Sequence, residues 1–447
     1  MSVVTACNGY EIKDLGVMVD CSTIADEAER WGADAIGLSG LITPSLDEMI
    51  KVVKELERRG MKTDVIIGGA TTSQLHTAVK IAPNYSGAVV HSRDASENTR
   101  ILANLLGPQR QQYIEELKRN QAAQRELYLQ QQAQRTLRPL SEARLRDYRK
   151  KADDIVRPLH TGKVVFNNFS IGEVEKYIDW NFFFTSWEIK GRYPDIFSSP
   201  EKGQQARKLF DDAQALLSVI KSKGSLTLNG TVGIFPAYRK GDDIIAETPH
   251  GPAELPMLRS QSGQSDANPC LADYVVAREV GQDYIGMFAV SAGLGLKEIG
   301  DSYKKQGDDY SAIMCKLLAD RLTEAFAEAV HEFVRRRMWG YQSEDMSPED
   351  ILRERYQGRR FAFGYPATPD HSLKKTVFDT LGVTQTTGMR LTENYMIDPG
   401  EALCGLMLAD PNVKYFTIGP VDAQQMEDYA SRRGLPVETI EKLICKI

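Results

Sequence analysis

Arg360 opens a segment, Arg360-Phe361-Ala362-Phe363-Gly364-Tyr365-Pro366, that is too aromatic for a solvated loop and too rich in Gly and Pro for a regular strand. A buried bend with a guanidinium at its mouth is suited to holding a carboxylate, because Arg presents a planar fork of donors. On pattern alone, a core-packing turn with one solvated arginine is the commoner outcome. Two acidic positions also draw notice. Asp179 precedes the aromatic patch Phe182-Phe183-Phe184-Thr185-Ser186-Trp187, where a helix cap is the plainer reading. Glu324 is followed one helical turn later by Glu328, and like charges at that spacing ordinarily mark a solvated face.

A second group of residues lies near the N-terminus. Ser39-Gly40-Leu41-Ile42-Thr43, Gly68-Gly69-Ala70-Thr71-Thr72 and Ser92-Arg93-Asp94-Ala95 each come directly after an apolar run. Small and hydroxylated residues at the carboxyl ends of successive strands are where open sheets take ligands. Turn chemistry favours the same residue types, so the pattern is evenly balanced between the two.

Residues 1–107 alternate strand and helix. Strands are expected at Tyr10 to Leu15, Ala33 to Leu38, Asp64 to Ile67 and Gly87 to Val90. Helices are expected between and after them; Ser45 to Arg59 carries Leu46, Met49, Ile50, Val53 and Leu56 on one face. This is a doubly wound α/β pattern with a parallel sheet. Residues 108–150 are rich in Gln, Arg and Glu with a thin apolar stripe, and read as a solvated helical linker. Residues 151–447 mix strands and helices without alternation, an α+β domain with a twisted antiparallel sheet. Its longest helical pattern is Tyr310 to Met338; late strands are expected at Leu391 to Ile397, Leu403 to Leu408 and Tyr415 to Ile418. A helix capped by Ser347, with Pro348 in its first turn, is expected to run through Tyr356 to Gly358.

Composition narrows the class. At 42% hydrophobic the 447-residue chain has enough apolar side chains for two or three cores. A net charge of −6 argues against a nucleic-acid binder, and no apolar run reaches the length of a membrane span. The six cysteines, at 7, 21, 270, 315, 404 and 445, form no Cys-x-x-Cys pair and fit free thiols in a reducing cytoplasm.

The Arg360 segment resembles the Arg-x-x-x-Gly-Tyr-Pro signature of the reactivation domain of cobalamin-dependent methionine synthase. Tyr177-Ile178-Asp179-Trp180, Ala319 to Phe326 and Leu41 to Glu48 resemble other parts of that enzyme, and the likeness extends over nearly the whole chain outside roughly 108–150. Ser39-Gly40-Leu41 and Gly68-Gly69 are similar to the later parts of its B12 fingerprint. The opening Asp-x-His-x-x-Gly is not found, and Val3 to Glu11 already matches the stretch on its carboxyl side, so the chain is expected to be a fragment lacking the first strand and the lower cobalt ligand.

The resemblance implies a flavodoxin-like cobalamin domain and an S-adenosylmethionine (AdoMet) domain. It implies corrinoid contacts at Ser39, Thr43, Gly68, Gly69 and Ala95. For AdoMet it implies Asp179, Glu324, Arg360, Ala362, Gly364, Tyr415 and Phe416, and it sets Tyr365 facing the corrin ring. The activity implied is reductive methylation of cob(II)alamin to methylcobalamin, in methionine biosynthesis. Flavodoxin or another low-potential donor would supply the electron. Zinc is expected only in an absent homocysteine module, beside an absent folate module. The alternative is a binding module without turnover, its first domain too incomplete to hold corrinoid.

Overall fold

The computed structural model describes residues 9–16, 19–40, 44–69, 71–94, 97–133 and 136–444, in two compact units, 1–136 and 137–447.

The first unit has a three-stranded parallel sheet of β1 (Ala35–Ser39), β2 (Asp64–Gly68) and β3 (Val89–His91), in that order. Successive side chains of a strand point to opposite faces, and β2 uses both. Val65 and Ile67 pack with Ala25 of helix α1 (Cys21–Trp31) and Val53 and Leu56 of α2 (Pro44–Arg58). Ile66 joins Ile101 and Leu105 of α3 (Glu97–Leu106) on the other side. A strand with both faces covered reads as the unbroken apolar run Val65-Ile66-Ile67. Asp20 caps α1 by accepting from the amides of Ser22 and Thr23, and Gly32 ends it in the left-handed conformation.

Two expectations for this unit change. Tyr10 to Leu15 joins no ladder among the described residues; its Glu11, Lys13 and Asp14 face water, and Ile12 and Leu15 remain exposed. The Gln-rich stretch is helical, as α4 (Arg110–Ala133), but it is docked rather than solvated all round. Tyr113, Ile114 and Leu117 cover the α3 core. Gln121 donates to the Val89 carbonyl at 2.7 Å, Arg125 to that of Ala78 at 3.1 Å, and Arg110 pairs with buried Asp64 at 2.9 Å. Long polar side chains laid along a sheet end replace the apolar stripe that the sequence lacks.

The second unit is built on a seven-stranded antiparallel sheet. Its path runs β7 (Gly251–Pro256), β6 (Asp243–Thr248), β5 (Thr227–Lys240), β8 (Asp283–Leu294), β12 (Ala402–Leu408) and β9 (Arg359–Ala362). β4 (Gly162–Phe169) pairs with the first part of β5, and β6 pairs with the last part. Strands β10 (Arg390–Leu391) and β11 (Ile397–Asp398) form a separate hairpin. Helices α5 (Trp180–Ser186), α6 (Gly203–Lys223) and α7 (Asp309–Phe333) enclose one core with Val232, Phe288, Val290 and Met407. Helix α8 (Lys374–Leu381) covers a second core containing Phe361, Leu406 and Leu408.

Three local expectations are corrected. Arg359 to Ala362 is a strand, its Gly and Pro falling just beyond it. The Ser347-capped helix ends at Leu352, because Glu354 adopts a φ of 50° that no helix tolerates. Tyr415 to Ile418 lies outside every strand; its aromatic rings settle on Phe361, with centroids 5.2 and 6.2 Å away, and Ile418 donates one backbone hydrogen bond to Pro366.

The seat of β9 depends on a glycine. Gly405 of β12 faces Ala362, and a Cβ there would meet the Phe361 carbonyl oxygen at 1.9 Å. Gly405→Ala should therefore push β9 off the sheet and destabilise the second unit by about 2 kcal/mol, as overpacking generally does. Urea unfolding followed by near-ultraviolet circular dichroism measures this; an unshifted midpoint would contradict the close approach.

Candidate functional site

Strand β9 sets its side chains alternately, so Arg360 and Ala362 share a face while Phe361 packs away in the α8 core. Arg360 stands opposite Met407, whose side chain belongs to the core under α7. That register turns the guanidinium toward α7, where it meets Glu328: Nη1 of Arg360 donates to Oε2 of the carboxylate. Nη1 of Arg335 donates to Oε1 at 3.2 Å, and the Tyr356 hydroxyl donates to Oε2 at 3.1 Å. Arg335 is fully buried, stacks 3.7 Å above the Tyr356 ring, and gives its Nε to Gln342 at 2.7 Å.

Burial resists ionisation of Glu328, but Arg360 and Arg335 overcome it and hold its carboxyl below the usual range. His331 completes the cluster, with Nδ1 2.7 Å from Nη1 of Arg335. Burial and that guanidinium keep its imidazole neutral and so able to accept. Two guanidinium charges thus face one carboxylate, and the cluster retains one positive charge.

That charge borders a cavity of about 440 Å3. Arg360, Ala362, Tyr365, Tyr415, Phe416 and Glu324 all line it. Glu324 has neither ion pair nor hydrogen bond among the described residues. The cavity therefore sets an excess cation and an unpaired carboxylate among aromatic walls. Tyr365 projects from a bend made by Gly364, whose φ of 92° and contact with the His371 ring exclude a Cβ. The Gly364 amide donates to the Thr368 carbonyl at 2.8 Å, and Tyr365 is 53% exposed. Burial of its base and the nearby Glu324 carboxylate push its hydroxyl upward, so it remains a donor.

Asp179 is not part of this wall. It caps α5, accepting from the amide and side chain of Asn181 at 2.9 and 3.0 Å. In the first unit, Ser39 ends β1 exposed and stands opposite buried Gly68. Gly69, at φ 108°, lies so close to Gly40 that a Cβ would meet its carbonyl oxygen at 2.2 Å. Thr43 and Ala95 lie outside the described residues.

The expectation of a solvated face is corrected at Glu328, which is buried, and Glu354 was not singled out in the sequence. Glu328 precedes Arg335 by two helical turns within the otherwise apolar run Ala325 to Val330, a spacing that could have disclosed a buried pair. Glu354 lines the cavity and accepts from the Tyr415 hydroxyl at 3.2 Å. A second hollow, about 500 Å3, is bordered by Arg144, Arg239 and Arg259. Their charges are already met by Asp242, Asp273, Asp147 and Asp428, so that cluster is structural.

An α+β unit with an arginine-edged aromatic cavity, joined to a small parallel α/β unit with glycine-lined strand ends, defines a class of two-domain cofactor proteins. Residues 170–434 match the family model for the vitamin B12 dependent methionine synthase activation domain, and residues 2–94 match that of the B12 binding domain. The chain belongs to the B12-dependent methionine synthase activation-domain family. The crystal structure of the MetH reactivation domain bound to AdoHcy is similar at 39% identity and a TM-score of 0.67, over 69% of this chain and 97% of that one. A novel cobalamin-binding protein from Desulfitobacterium hafniense DCB-2 shares 27% identity over 23% of this chain and 48% of its own, with a TM-score of 0.21, too slight for an argument about fold. No helix among the described residues is long and apolar enough to cross a membrane.

Asp320, one turn before Glu324, gives a pH signature. Burial, then the Glu401 carboxylate, raise its pKa to about 6. A raised carboxyl binds a proton in the folded chain that the unfolded chain has lost, so stability falls between about pH 4 and 6 as pH rises. Asp320→Asn should raise the melting temperature above pH 6 and leave it unchanged below pH 4. An equal effect at both ends would contradict the assignment.

Proposed function

We propose that this chain binds S-adenosylmethionine in the Arg360 cavity and cobalamin at the strand ends of the first unit, and supports reductive methylation of cob(II)alamin. The observation that carries the first part is the pairing of an excess guanidinium charge with an unpaired Glu324 in one aromatic-walled cavity. An amino-acid headgroup has a carboxylate for Arg360 and an ammonium for Glu324. A flat purine suits walls that include Tyr415 and Phe416. The backbone of Ala362 and the bend at Gly364 are assigned to the same ligand. Asp179 stays a candidate for its cationic part once its cap hydrogen bonds are shared.

The first unit fits a large ligand that approaches backbone. Gly68 and Gly69 present no side chain, Ser39 offers a hydroxyl, and we assign corrinoid contact to these three with Thr43 and Ala95. When bound, cobalamin supplies a cobalt centre that, reduced by one electron, takes a methyl group from a sulfonium and leaves a thioether. The chain's own work is positioning. Arg360 fixes the carboxylate of the sulfonium ligand, Glu324 its ammonium, and Tyr365 is left at the mouth for the methyl acceptor. Flavodoxin or a donor of similar potential is the proposed reductant, and methionine biosynthesis the proposed setting.

The full chain, cob(II)alamin, titanium(III) citrate and AdoMet should yield the absorption spectrum of methylcobalamin. Arg360→Ala should slow that conversion at limiting AdoMet by roughly tenfold or more, the loss expected for a charge-assisted bidentate contact. Bound corrinoid without methylation, despite calorimetric binding of AdoMet, would leave only the non-catalytic binding module.

A further inference from the structure

We infer that Glu328 is the positioning residue of the cavity: it sets the direction of the Arg360 fork and thereby gates affinity for ligands that carry a carboxylate. This rests on the reading that Arg360 holds such a carboxylate.

Arg360 comes from an edge strand, and its long side chain has several rotamers that it would lose on binding. Glu328 removes that freedom beforehand by taking one guanidinium nitrogen, Nη1. No other hydrogen bond or ion pair ties the Arg360 side chain among the described residues, so its remaining nitrogens can meet an anion. Glu328 cannot swing away, because Tyr356 and Arg335 hold both of its oxygens and it is only 6% exposed. Arg335 in turn is fixed by Gln342 and by His331, which burial keeps neutral. Replacing the carboxylate by an amide would leave two buried guanidinium groups with no anion between them. Like charges in a low-dielectric setting repel, and Arg360, on the open side, is the one free to move. Glu328 thus does two things. It aims the fork, and it cancels one of two charges so that a single ligand carboxylate completes the balance.

Calorimetry on the full chain, with two probes, tests this. S-adenosylhomocysteine carries the carboxylate; 5′-methylthioadenosine shares the nucleoside and lacks the amino acid. Glu328→Gln should weaken S-adenosylhomocysteine about tenfold, the scale of one charged hydrogen bond, and leave 5′-methylthioadenosine within about twofold. In an Arg360→Ala background the Glu328→Gln change should have no further effect on S-adenosylhomocysteine, because contacting residues are not additive. Tyr356→Phe, which removes one hydrogen bond and no charge, should give a smaller loss, about threefold, of the same selectivity. That variant decides the matter should the amide variant fail to fold. Equal weakening of both probes, or additive losses in the double variant, would make Glu328 merely structural and overturn the inference. If Arg360→Ala itself leaves S-adenosylhomocysteine affinity unchanged, the carboxylate reading beneath it fails, and this inference with it.

Discussion

The buried array Arg335–Glu328–Arg360 is the constraint that sets the charge at the second unit's cavity. Taking three charges out of water is costly, and removing one partner from such a group destabilises by about 3–5 kcal/mol, since it strands the others. A well-packed apolar set of the same volume would hold the fold as well or better. What an apolar set could not provide is a guanidinium pointed into a cavity with one positive charge left over. The array therefore makes sense as an aiming device rather than as a brace. Its cost is offset by a helix whose other buried positions, Leu318, Leu322, Phe326 and Val330, pack the main core.

The sheet delivers what the helix receives. Arg360 reaches α7 because β9 pairs with β12 in a register that puts it opposite Met407. That register in turn needs Gly405 beneath Phe361. Two residues beyond the strand, the Gly364 bend turns the chain so that Tyr365 stands exposed beside the cavity that Arg360 borders. Strand, glycine and bend are all local features, yet together they bring a cation, a phenol and an aromatic wall to one place.

Much of this could be read from the residues. Periodicity located α2 and α7, the apolar runs located β2 and β12, and the Arg360-to-Pro366 pattern pointed to the segment that borders the cavity. Composition near Ser39 and Gly68 pointed to strand ends. What eluded reading was set by tertiary partners. Tyr10 to Leu15 and Tyr415 to Ile418 have strand-like residues, but a strand exists only where a neighbour accepts its hydrogen bonds. Helix α4 has too thin an apolar stripe to predict docking, and docks through Gln and Arg reaching backbone carbonyls. Glu328 sat at a spacing from Glu324 that usually means solvent; only the fold reveals Arg335 and Arg360 on either side of it.

Family models match each unit separately, and the cavity adds a physical reason for the proposed ligand class: unmatched charges of opposite sign at fixed positions. A crystal structure of the full chain with S-adenosylhomocysteine tests this most directly. The account predicts the ligand carboxylate on the guanidinium of Arg360, with Glu328 still holding Nη1 and the ligand amino group turned toward Glu324. A carboxylate bound elsewhere, or a Glu328 expelled from Arg360 by the ligand, would contradict it.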